Sequence, residues 1–160
     1  MTLDNSKTII SLRIKLFGAT IVFIAYFILA YAAKIIKFPL LGMGETFWII
    51  LLTGLYAFLA FLPMILNYQF VFFSDDTDKI IFRYFTSGIV GGKKNAVEID
   101  KRSFGGYSTE TRFFGLIHSI TLSHKFREGV AKYPPIYISA LSKEERAKVF
   151  KTLNSYTPHE

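Results

Sequence analysis

The chain has 160 residues, 51% of them apolar and 17% aromatic, with a formal charge of +7 and no cysteine. That composition is too apolar for a disordered chain. The missing cysteine excludes disulfides, iron–sulfur clusters and thiol catalysis. The length suits one ordinary domain with anchoring segments.

Residues 1–15 form a polar N-terminal segment that carries Lys7, Arg13 and Lys15. Two uncharged stretches follow. Residues 16–33 read LFGATIVFIAYFILAYAA between Lys15 and Lys34, and no charge occurs between Glu45 and Asp75. A bilayer core about 30 Å thick needs roughly 20 apolar residues in a helix. Residues 16–66 are therefore expected to form a transmembrane hairpin, with spans at about 16–35 and 46–66. Arg13, Lys15 and the Ala30-Tyr31-Ala32 triplet also fit a secretory signal, but the length of the apolar run favours a span. Gly18, Ala25 and Ala32 recur every seven residues, and Gly54, Ala57 and Ala60 share a face of the second span. Small residues let helices approach closely in lipid, so these six are candidate helix-packing positions. Trp48 and Tyr31 suit one interfacial belt, Phe17 and Tyr68 the other. Pro63 reads as a bend or an exit signal near the end of the second span. Neither uncharged stretch holds an ionisable group of the kind that marks ion paths and proton relays, which argues against a pump or transporter. Lys7, Arg13 and Lys15 precede the hairpin and only Lys34 and Lys37 lie in its connection. The positive-inside bias then puts both termini in the cytoplasm, with the protein multi-pass in the inner membrane.

Beyond residue 66 the period of the pattern changes. Residues 67–74 are dense in aromatic and β-branched side chains, Asp75, Asp76 and Asp78 mark a turn, and KIIFRYFT follows at 79–86. This is strand, tight turn, strand. Further strands are expected at 96–100, 107–112, 117–124 and 136–139, giving six, or seven if Ile89-Val90 pairs separately. Ser142 and Glu145 form a capping box ahead of a helix at about 143–156. Val149, Phe150, Leu153 and Tyr156 make one apolar stripe on it. Strands first and a single amphipathic helix last predict an α+β layer arrangement, or a small barrel closed by that helix.

The segments YQFVFFSDDTDKIIFRYFTSG, NAVEIDKRSFGGY and PPIYISALSKEERAKVFKTLN, preceded by two apolar helices, resemble bacterial membrane-anchored proteins with a pleckstrin-homology-like (PH-like) domain. The resemblance covers residues 67–156 and the order of the hairpin. It implies a PH-like antiparallel barrel or sandwich of 6–7 strands, capped by the C-terminal helix, over a domain at 67–160. It implies no catalytic residue.

Candidate chemistry is sparse. His118 and His124 lie on one strand face, six residues or roughly 20 Å apart, too far to share a metal. The glycine-rich run at 88–92 before Lys93 and Lys94 lacks the residues of a phosphate loop, no nucleophile elbow occurs, and the acidic turn lacks the glycine and glutamate of a calcium loop. No metal, cofactor or catalytic group is assigned, and the chain reads as a non-enzyme. Residues 67–160 carry 14 Lys and Arg against 10 Asp and Glu, so 14 − 10 = +4. Beside a membrane such an excess suits anionic lipid. Lys93, Lys94, Lys101 and Arg102 are the head-group candidates. Phe113 and Phe114, in the apolar stretch TRFFGLI, are the protein-contact candidates. The expected function is a non-enzymatic, membrane-anchored interaction module that meets a protein partner or anionic head groups. The alternative is a structural or accessory subunit of a larger membrane transport or secretion assembly. Nucleic acid is not expected as a partner, for want of a basic helix or an aromatic reading motif. Self-association stays open.

Overall fold

The computed structural model of the chain describes residues 1–87 and 92–157. It is mixed α+β, with two long apolar helices and two antiparallel sheets. The chain divides into a helical unit, Ile10–Pro63, and a β unit made of Met1–Ile9 with Met64–Glu160.

Helix α1 (Ser6–Phe27) runs on through a π-helical turn, Ile28–Ala32, and α2 spans Glu45–Ile65. Their most apolar windows have mean hydropathies of 2.0 and 2.1, and almost none of either is buried. At 1.5 Å per residue both are long enough to cross a membrane, at about 40 and 31 Å. The first helix starts at Ser6, ten residues before the uncharged stretch. Lys7, Arg13 and Lys15 are good helix formers, so loss of charge marks where the apolar part begins and not where the helix does. Inside the hairpin, Phe23 stacks on Tyr56 with ring centroids 4.5 Å apart. Thr20 Oγ1 donates to Leu16 O at 2.9 Å, which leaves it to accept from the Tyr56 hydroxyl at 3.0 Å.

In the β unit, β1 (Thr2–Asp4), β2 (Gln69–Ser74), β3 (Lys79–Thr86) and β4 (Asn95–Asp100) form one sheet in that order. A 3-10 turn, Lys101–Ser103, leads to the second sheet. There β5 (Phe104–Arg112) pairs with β6 (Ile117–Phe126), and β6 pairs with both β7 (Gly129–Lys132) and β8 (Ile136–Tyr137). Helix α3 (Lys143–Tyr156) begins at a complete capping box, Ser142 accepting from Glu145 N and Glu145 from Ser142 N. Alternation along the strands turns Val71, Phe73, Ile80, Phe82, Val97 and Ile99 inward from the first sheet. Phe104, Ile120, Leu122 and Ile136 meet them from the second, and Val149 and Leu153 from α3, in one core.

Three differences from the sequence reading stand out. The described residues form two sheets and no closed barrel: β5 pairs only with β6, so β4 and β1 remain edges of the first sheet. Among the described residues, 67–157 hold seven strands, the seventh being Gly129–Lys132, where no strand is expected; Ile89 and Val90 lie outside the described residues. The segment before the helices is not separate from the domain. Thr2, Leu3 and Asp4 pair with Ser74, Phe73 and Phe72, and Leu3 packs on the core. Three residues are too few for alternation to be visible in sequence.

Candidate functional site

An antiparallel pair on either side of the helical hairpin fixes where the chain leaves the β unit. One residue, Asn5, separates β1 from α1, and three separate α2 from β2. Because β1 and β2 run antiparallel, the end of one and the start of the other lie at one end of the sheet. This is the tether end.

Asn5 closes it. Its backbone carbonyl accepts from Ile9 N at 3.1 Å, which starts α1. Its side chain continues the ladder that the turn into helix would otherwise break: Oδ1 accepts from Val71 N and Nδ2 donates to Gln69 O, both at 2.9 Å. The residue is 1% exposed. Asp4 braces the same turn, accepting from Ser6 N at 2.9 Å and from the Ser6 hydroxyl. These bonds hold its carboxyl below the usual carboxylate range, the Ser6 hydroxyl contributing most. Gln69 is buried as well, and its Oε1 accepts from Tyr137 N at 3.0 Å, tying the first sheet to the second.

Register carries two further groups to this end. Gln69 pairs with Thr86, Ser87 N donates to Tyr68 O at 2.9 Å, and Tyr84 pairs with Asn95. Exposed Lys93 and Lys94, just before Asn95, therefore sit beside the tethers. Tyr137, held by Gln69, pairs with Ser119 near the start of β6. The β5–β6 hairpin tip, Phe113 to Leu116, lies just beyond. Phe113 and Phe114 are 63% and 104% exposed there.

Lys101 and Arg102 lie at the opposite end, where Lys79 pairs with Asp100. Six residues of β4 put roughly 17–20 Å between the two basic pairs. The four cations flank β4 without forming one surface. Lys101 is committed internally: Nζ donates to Asp75 O at 2.7 Å and sits 4.8 Å from the Tyr156 ring centre. Tyr156 in turn donates to Asp75 at 3.1 Å, and the amino group of Met1 reaches the carboxylates of Asp75 and Asp76. That amino group, followed by Thr2, holds the Asp76 carboxyl below its ordinary range. Arg102 is exposed.

Gly18, Ala25, Ala32 and Gly54 are exposed, and Ala57 and Ala60 are half-buried. Nothing lies within 4 Å of where a Cβ would stand on Gly18 or Gly54. Aromatic stacking and the Thr20–Tyr56 bond join the helices.

Among the described residues no group of three or more His, Asp or Glu could hold a metal ion. His118 sits behind the tip with Nδ1 3.3 Å from Thr111 Oγ1. Burial, then the nearby Arg146 charge, lowers its pKa from 6.5. Asn5 and Gln69 are the residues that sequence reasoning missed. Their signals are legible in retrospect: an Asp-Asn-Ser run ahead of an apolar helix suits a cap, and Gln69 has the inward parity of Val71 and Phe73. Comparison of the chain with protein-family models, curated proteins and solved structures finds no match.

Proposed function

We propose that this chain is a membrane-anchored, non-enzymatic interaction module. The α1–α2 hairpin crosses the bilayer twice and holds a PH-like β unit at the cytoplasmic face of the inner membrane. There the unit meets a protein partner or anionic head groups. One observation carries the reading: the hairpin is inserted between two strands that pair with each other, through tethers of one and three residues. A segment whose two ends are fixed to one sheet must return to the side it left, and two crossings do that. A module held so closely works at high effective concentration, so weak contacts suffice. Two antiparallel sheets and a C-terminal helix on one core support the PH-like part of the proposal; the open sheet edges depart from a closed barrel.

Alkaline washing of membranes, combined with a reporter fused after Glu160, tests this. The intact chain stays in the pellet and the reporter is active only in the cytosol. Release into the supernatant, or activity on the far side, defeats the proposal. The accessory-subunit reading draws on the outward Gly18, Ala25, Ala32 and Gly54, whose open face suits a foreign helix. Stoichiometric membrane proteins copurifying in mild detergent would favour it.

A further inference from the structure

The β5–β6 tip breaks the local rules of its own turn. Leu116 N donates to Phe113 O at 3.1 Å, and the two residues between them, Phe114 and Gly115, have φ of 52° and 89°. Positive φ at both central positions is the pattern of a type I′ hairpin turn, which favours Asn, Asp or Gly. Gly115 fits. Phe114 does not, and Phe113 before it is also left-handed, with φ of 55°. A bulky aromatic residue is a poor choice for that conformation. Two in succession, both largely exposed, form a locally strained site of the kind that clusters where function needs it. The result projects Phe113, Phe114 and the 56% exposed Leu116 together into solvent.

Placement says what covers them. The line of bonds from Gln69 through Tyr137 to Ser119 crosses both sheets at the tether end. Helix α2 ends four residues before Gln69, and Leu116 lies three residues before Ser119. At about 3.3 Å per extended residue the tip stands roughly 10 Å beyond that line. Lys93 and Lys94 flank the same end, exposed and without a carboxylate partner at salt-bridge distance among the described residues. The acid nearest the tip in β5, Glu110, is neutralised by Arg112 at 2.7 Å. Exposed aromatic and apolar side chains beside free cations, at the end from which two apolar helices depart, match the chemistry of a lipid interface, where aromatic rings concentrate and Lys meets anionic head groups.

We infer that the Phe113–Leu116 tip is a third contact with the bilayer, inserting Phe113, Phe114 and Leu116 into the interfacial layer while Lys93 and Lys94 face anionic head groups. The inference rests on the membrane-anchored reading and adds a docked orientation to it. Insertion at three points stops the β unit from swinging on its tethers and leaves the opposite end as the face open to partners.

Trp48 is the sole tryptophan, and it lies in α2. It therefore reports the anchor, and moving the tryptophan reports the tip. The full chain is reconstituted in vesicles of phosphatidylglycerol and phosphatidylcholine, with lipids brominated near the head group as quenchers. In the Trp48→Phe, Phe114→Trp chain, emission shifts to shorter wavelength and brominated lipid quenches it. Lys93→Glu with Lys94→Glu weakens that quenching. In the Trp48→Phe, Phe126→Trp chain, altered at an exposed position on the other end of β6, aqueous iodide quenches and brominated lipid does not. Iodide quenching at the tip, or equal lipid quenching at both positions, overturns the inference while Trp48 in the unaltered chain is still quenched by lipid. That outcome returns the two phenylalanines to a protein contact. Failure of lipid to quench Trp48 overturns the anchor reading itself.

Discussion

The two ends of the β unit handle charge and aromatic surface in opposite ways. At the end remote from the tethers, Lys101, Asp75 and Tyr156 satisfy one another, and a basic side chain that looks available in sequence is held in place by a carbonyl and a ring. At the tether end the buried polar groups include two amides, Asn5 and Gln69, while Lys93, Lys94 and the phenylalanine tip face outward. The lesson is that cations consumed inside the molecule are structural, and those left open beside exposed aromatic rings are free to meet something else. Composition treats both kinds alike.

The largest expected effect probes the closed part of the tether end. Asn5→Ala leaves Val71 N and Gln69 O buried without partners. At about 1–3 kcal/mol for each unsatisfied group, the β unit should lose about 2–6 kcal/mol. Hydrogen exchange at the Val71 amide in detergent micelles reads this directly; unchanged protection would mean that the amide does not complete the sheet. A middle-sized effect contrasts the ends. Lys101→Ala should cost about 1–2 kcal/mol through a lost charged hydrogen bond and a ring contact, whereas Lys94→Ala should stay within about 0.5 kcal/mol. Thermal unfolding of the two variants side by side checks the contrast, and equal losses would erase it. The smallest effect concerns His118. Its pKa is lowered by folding, so below about 6.5 the unfolded chain binds the proton more readily. Stability is full above that pH and falls as pH drops towards and through the lower folded value. His118→Gln should flatten this slope between neutral and mildly acidic conditions, as followed by urea midpoints.

Much of this architecture is legible without coordinates because it depends on local periodicity. Long apolar runs mark α1 and α2, alternation marks β4 and β6, and a capping box marks α3. Boundaries are less legible: the cap that starts α1 is held by Val71 and Gln69, distant in sequence, and β7 is four exposed residues with no buried face to set a pattern. The candidate site is legible only in pieces. Phe113 and Phe114 stand out as apolar residues in a loop, yet nothing in their neighbourhood says that Leu116 joins them or which end of the domain they occupy. Lys93, Lys94, Lys101 and Arg102 look like one basic cluster in sequence, and a single extended strand carries the pairs apart.

Side-chain chemistry and spacing alone thus determined that this chain holds two helices apolar enough for a membrane, a β-rich remainder and an amphipathic final helix. Tertiary structure decided that the first strand completes a sheet begun on the other side of the hairpin. It also decided which cations are tied down and that the aromatic tip shares an end with the tethers. The physical reason is range: periodicity is set by neighbours a few residues away, whereas register and side-chain bonds such as Asn5 to Val71 join residues 66 positions apart.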